Sequence, residues 1–135
     1  MRRITIELSA TDVHVISAGL AEYGGGSASD IATLSGHDDR AVQPIYKKIE
    51  RLRVSDANEL SLTEAEWRVI YDSVNAALYA LGPFELELCT GCSLVDLLQT
   101  NLHITTSVWG MYGGAKWADY YEVSRKQSAT QNDSV

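Results

Sequence analysis

The chain has 135 residues, of which 45% are hydrophobic and 21% charged, and its 18 Asp/Glu outweigh 11 Lys/Arg to give a formal charge of −7. That length makes about one domain able to bury roughly two-thirds of its unfolded surface without disulfides or metals, and the composition excludes a disordered chain. No apolar stretch approaches the roughly 20 residues that a bilayer crossing needs, and two cysteines close in sequence, Cys89 and Cys92, imply no oxidising compartment.

The amino terminus passes from Arg2 and Arg3 straight into the alternation Ile4-Thr5-Ile6, with no apolar core of an export signal, so a cytoplasmic protein is expected. The elements then read in chain order as a strand over 3–8, a helix over 10–22, a loop at Gly24-Gly25-Gly26-Ser27, a helix over 28–34 and another over 39–52. A second series follows: strand 58–62, helix 64–81, a break at Gly82-Pro83, a strand over 84–89 from its strict alternation, and a helix over 92–103.

The two series match. Residues 6–16 align with 60–70 at a shift of 54, each pairing an alternating strand with a capping hydroxyl and an acid three positions on: Ser9 with Asp12, and Thr63 with Glu66. Residues 31–36 align with 86–91 at a shift of 55, ending in a hydroxyl-glycine turn. Helical spacing resumes beyond it with Val42, Ile45, Ile49 and Leu52 in one series and Leu94, Leu97, Leu98 and Leu102 in the other. The expectation is a helix-rich α+β fold. A tandem duplication of a strand-helix-(turn)-helix unit, residues 1–57 and 58–104, shares one core with a small antiparallel strand pairing. Residues 105–125 form an aromatic carboxy-terminal segment and 126–135 a disordered tail.

Charge divides unevenly between the parts: seven Lys/Arg against eight Asp/Glu in 1–57, one against seven in 58–104, and three against three in 105–135. Within residues 40–53, Arg40, Lys47, Lys48, Arg51 and Arg53 stand against Glu50 alone. These cations follow residues 30–42, where Ala32, Gly36 and Val42 have the spacing of a helix-turn-helix and resemble the DNA-reading unit of the repressor families. A DNA-binding regulator using residues 30–53 is therefore the alternative reading. Against it stand Asp38 and Asp39 at the start of the second helix, Pro44 inside it and the overall negative charge, so a turn used for packing is preferred.

Cys89-Thr90-Gly91-Cys92 has the spacing of half a zinc site or a redox pair, with His37 at the position equivalent to Cys92 as a further weak candidate ligand. Two further ligands would be needed, and two small buried or half-buried thiols are the simpler reading, so no metal and no cofactor is expected. The chain has no phosphate-cradling glycine loop with lysine, no HExxH and no Gly-x-Ser-x-Gly, so no enzyme activity is expected.

What remains is an acidic second series beside aromatic residues, which points to a protein-binding module of the immunity or inhibitor type that engages a basic partner without a membrane. The contacts named by this reading are Glu59, Glu64, Glu66, Asp72, Glu85 and Glu87, with Trp109 and Trp117 near them. Nucleic acid enters only under the alternative. Self-association, with the basic helix of one chain on the acidic unit of another, is a third possibility.

Overall fold

A computed structural model describes residues 2–22, 32 and 34–110, and it carries two strands paired beneath a layer of helices. In chain order they are β1 (Arg3–Glu7), α1 (Ala10–Ala21), α2 (Asp39–Arg53), β2 (Glu59–Thr63), α3 (Glu64–Thr90) and α4 (Leu94–Trp109). The glycine loop at 24–27, most of the helix over 28–34, Trp117 with the rest of the aromatic segment beyond 110, and the tail lie outside the described residues. The fold is helix-rich α+β, and among the described residues no helix is long and apolar enough to cross a membrane.

β1 and β2 run antiparallel, with Arg3 opposite Thr63, Ile6 opposite Leu60 and Glu7 opposite Glu59. Ile6 and Leu60 are thus direct cross-strand partners. Each strand delivers a capping residue to a helix. Ser9 Oγ accepts from the Asp12 amide and Asp12 returns the bond to the Ser9 amide, both at 3.0 Å. Thr63 and Glu66 make the same reciprocal pair at 3.2 and 3.1 Å. In each pair a side-chain oxygen of one residue accepts from the otherwise orphan backbone amide of the other, which stabilises a helix start by about 1 kcal/mol. Ser93 and Asp96 repeat the arrangement on α4.

The core gathers Ile16 and Leu20 of α1, Val42 and Ile49 of α2, Trp67, Ile70 and Val74 of α3, and Leu97 and Ile104 of α4. Trp67 is wholly buried and its indole N–H donates to the Ile4 carbonyl at 2.9 Å, so the largest ring in the core leaves no polar atom unpaired. α1 packs against α3 where Gly19 lets the backbones approach: a Cβ there would stand 3.0 Å from Val74 Cγ2.

Two expectations are corrected. Residues 84–89, expected as a strand, are helical and form the last part of α3 beyond a break at Gly82, whose φ is 77°. In the described sheet β1 and β2 pair with each other and residues 84–89 join neither edge; as a helix the segment satisfies its own amides internally. Pro83 begins the new run, where its missing N–H costs nothing. Of Glu85-Leu86-Glu87-Leu88 only Leu86 is buried.

α4 also differs from the sequence reading. It continues to Trp109, and of Leu94, Leu97, Leu98 and Leu102 it buries only Leu97. The inward face holds Thr100, Asn101 and Thr105 instead, with Thr105 donating to the Asn101 carbonyl at 3.0 Å and Asn101 Nδ2 to Asn75 Oδ1 at 2.8 Å. Thr105 and the Asn101 amide nitrogen find partners inside, while Asn101 Oδ1 is buried without one among the described residues, and the leucine-rich stripe turns outward.

Candidate functional site

The acidic residues named from the sequence fall into three groups. Glu66 is spent inside the molecule: it closes the Thr63 cap and accepts from Lys48 Nζ at 3.0 Å. Burial pushes its carboxyl up, but the Thr63 amide and the Lys48 ammonium outweigh this and hold it below the usual glutamate value. Asp72 is likewise engaged, 2.9 Å from His37 Nε2, tying the turn before α2 to the middle of α3.

Glu64 belongs to a second group with Trp109. The Trp109 indole donates to Glu64 Oε1 at 2.9 Å, the Arg68 guanidinium lies 4.5 Å over the ring, and Tyr71 meets it edge-on with centroids 5.9 Å apart. These three residues, four and three apart, form one stripe of α3 on which the tryptophan is clamped. Arg2, Ile4, Glu64, Ala65, Arg68 and Val108 line a groove of about 460 Å³ alongside.

Glu59, Glu85 and Glu87 make the third group. All are exposed, and among the described residues no hydrogen bond or ion pair engages their carboxylates. Glu59 sits at the start of β2, whereas Glu85 and Glu87 lie on the last part of α3 between exposed Phe84 and Leu88.

The basic set divides too. On α2 the buried stripe is Val42, Ile45, Ile49 and Leu52, so Arg40, Lys47 and Arg51 stand on the opposite, outward face. Lys48 is held by Glu66, and Arg53 by Glu50 at 3.0 Å. The turn before α2 is built as the spacing implied: Gly36 has φ 77° and its amide donates to the Ala32 carbonyl at 3.1 Å. Asp38 caps α2 by accepting from the Ala41 amide at 3.1 Å, and Asp39 accepts from Gln43 Nε2 at 2.9 Å. Pro44 lies on the exposed side, where water can reach the carbonyl it leaves unpaired.

Cys89 is exposed and Cys92 buried. Burial pushes the Cys92 thiol up, against a smaller opposing effect of its hydrogen bond to Thr90. Its S–H points to the Thr90 carbonyl at 3.8 Å, and His37 is turned to Asp72. Among the described residues no group of three or more His, Cys, Asp or Glu is arranged to hold a metal.

One surface was missed from the sequence. Leu94, Val95, Leu98 and Leu102 are 36%, 60%, 43% and 45% exposed, and Phe84 and Leu88 are 76% and 70% exposed on the helical run that the Gly91 turn joins to α4. Leu94, Leu98 and Leu102 recur every four residues on one side of the helix, with Val95 beside them. The signal in the sequence was charge: residues 69–115 contain no Lys or Arg. No protein-family model, curated protein or solved structure matches this chain.

Proposed function

We propose that the chain is a non-enzymatic protein-binding module whose contact face is the outward side of α4 with the adjoining end of α3, and that its partner presents a basic surface. An intracellular inhibitor or immunity-type protein is the concrete form of this reading. The reading treats the chain as two diverged copies of one unit, and several features support that relation. Ile6 and Leu60, equivalent at the 54-residue shift, face each other across the strand pair, as an axis of twofold pseudo-symmetry requires. Gly36 and Gly91, 55 apart, both have positive φ, and the caps Asp38 and Ser93 follow each by two residues.

A single comparison carries the functional reading. At the 55-residue shift α2 and α4 share three buried positions, Val42 with Leu97, Ile45 with Thr100 and Ile49 with Ile104, whereas buried Leu52 matches exposed Ser107. Their outward positions differ in kind: Asp39, Arg40, Gln43 and Lys47 stand where α4 has Leu94, Val95, Leu98 and Leu102. On the duplication reading, α2 is the matching helix, and its outer face is charged. Four large aliphatic groups left in water on the second copy therefore serve contact with something else, since contiguous exposed apolar surface marks interaction sites. Exposed Glu85 and Glu87 beside them favour a cationic partner.

Affinity capture from native lysate with wild type and with Leu98→Ser/Leu102→Ser as baits tests the reading. A stoichiometric basic protein held by wild type and lost from the variant, at equal thermal stability of the two baits, is the expected result. A partner held equally by both sinks the assignment of this face.

The outward cations of α2, Arg40, Lys47 and Arg51, which make no ion pair among the described residues, support a second reading as a helix-turn-helix DNA binder using residues 30–53. It predicts affinity that falls steeply with salt and is abolished by Lys47→Glu/Arg51→Glu. The engagement of Lys48 and Arg53 within the fold and the two aspartates at the start of α2 place it second.

A further inference from the structure

Resting on the protein-binding reading, we infer that the segment of the partner seated on this face is a cationic amphipathic helix lying along α4. The stripe from Leu94 to Leu102 spans eight residues, about 12 Å or two helical turns, which matches apolar positions i, i+4 and i+7 of a docked helix. The internal hydrogen bonds of α4 occupy its backbone, so the face offers no edge for an added strand, and what it presents is a row of side-chain ridges that another helix can interdigitate.

Charge selects the partner's flanks. No Lys or Arg occurs from residue 69 to 115, while Glu85 and Glu87 stand exposed and unpaired among the described residues at the end of the apolar face. Cations beside the partner's apolar stripe thus meet carboxylates and no like charge. A second copy of this chain packed through the same face would bring the same uncharged stripe and, from its own α3 and α4, the single cation Arg68, which lies over its own Trp109. Anionic lipid or nucleic acid would meet carboxylates where it needs lysines.

The test uses the full chain and a fluorescent 18-residue helix of Leu and Lys with helical periodicity as probe. Its controls are a peptide of the same composition scrambled to remove the apolar face, and one with Glu in place of Lys. Anisotropy titration is expected to show the cationic amphipathic probe binding at least about tenfold more tightly than either control. Leu98→Ser/Leu102→Ser and Glu85→Lys/Glu87→Lys are each expected to weaken it by about tenfold or more, with unchanged thermal unfolding. Equal binding of the scrambled peptide, or equal binding by both variants, overturns the inference. Sedimentation of wild type as a dimer that Leu98→Ser/Leu102→Ser dissociates also overturns it, by identifying the occupant as a second copy. If the probe fails while a lysate partner still depends on Leu98 and Leu102, the helical mode falls and the protein-binding reading stands. If neither depends on them, both fall.

Discussion

Thr100 donates its hydroxyl hydrogen to Asp12 Oδ1 at 2.8 Å, while Oδ2 of the same carboxylate accepts the Ser9 amide, so the cap of α1 is held from the far side by α4. The other capping acid that follows a strand is treated alike: Glu66, which closes the start of α3, is held by Lys48 of α2. Each helix start that follows a strand is thus clasped by a helix from the opposite half of the chain.

That clasp makes the two residues energetically coupled. Thr100→Val is expected to cost about 1 kcal/mol and Asp12→Ala about 1–2 kcal/mol, the latter losing the cap as well. In a double-mutant cycle by urea unfolding, the pair should lose about 0.5–1 kcal/mol less than the sum of the single losses. Strict additivity would show that the hydroxyl contributes nothing through the carboxylate.

Acid should reveal the second clasp. The folded state holds the Glu66 carboxyl below its ordinary value of 4.5, so the unfolded chain takes up this proton more readily than the folded one. Its contribution is fully present above that value and is lost as pH falls through the lowered folded value. Stability measured from pH 7 downward should therefore decline in the acid range, and Glu66→Gln should flatten that part of the curve. An unchanged profile in Glu66→Gln would count against the Lys48 and Thr63 contacts as its cause.

Gly19→Ala should change sign with its surroundings. Replacing a glycine inside a helix gains about 1 kcal/mol of propensity, but here the new methyl meets Val74 Cγ2 at 3.0 Å. Destabilisation is expected in the wild-type background and stabilisation in a Val74→Ala background, read as a shift in the thermal midpoint. Stabilisation in both would mean that α1 and α3 part without cost.

The two thiols should separate cleanly. Cys89 is exposed and Cys92 is buried with its thiol pushed up, so a thiol reagent at about pH 8 should modify Cys89 in the native protein and Cys92 only in denaturant. Peptide mapping by mass spectrometry assigns the sites. Equal native labelling would show that the turn at Gly91 opens readily.

The alternation of the two strands, the two strand-borne capping boxes and the inward face of α2 were legible in the sequence, because each is set by neighbours a few residues apart, whereas the pairing of β1 with β2 joins residues more than 50 apart. Ser9 finds Asp12 and Thr63 finds Glu66 through the geometry of one helical turn, and Val42, Ile45, Ile49 and Leu52 fall on one side of a helix whatever surrounds it. Residues 84–89 and the orientation of α4 were not legible. Alternation of Glu and Leu is satisfied by a strand only if the fold brings it beside another strand, and here residues 84–89 lie on neither edge of the described sheet. Leu94, Leu98 and Leu102 look like a core stripe in isolation. Which side of α4 turns inward was decided by Thr100 reaching Asp12 and Asn101 reaching Asn75, partners 88 and 26 residues away in the chain. Local spacing determined where this protein's helices begin and which of their residues share a side. Long-range hydrogen bonding and packing decided which side faces water, and with it the surface on which its function is proposed to rest.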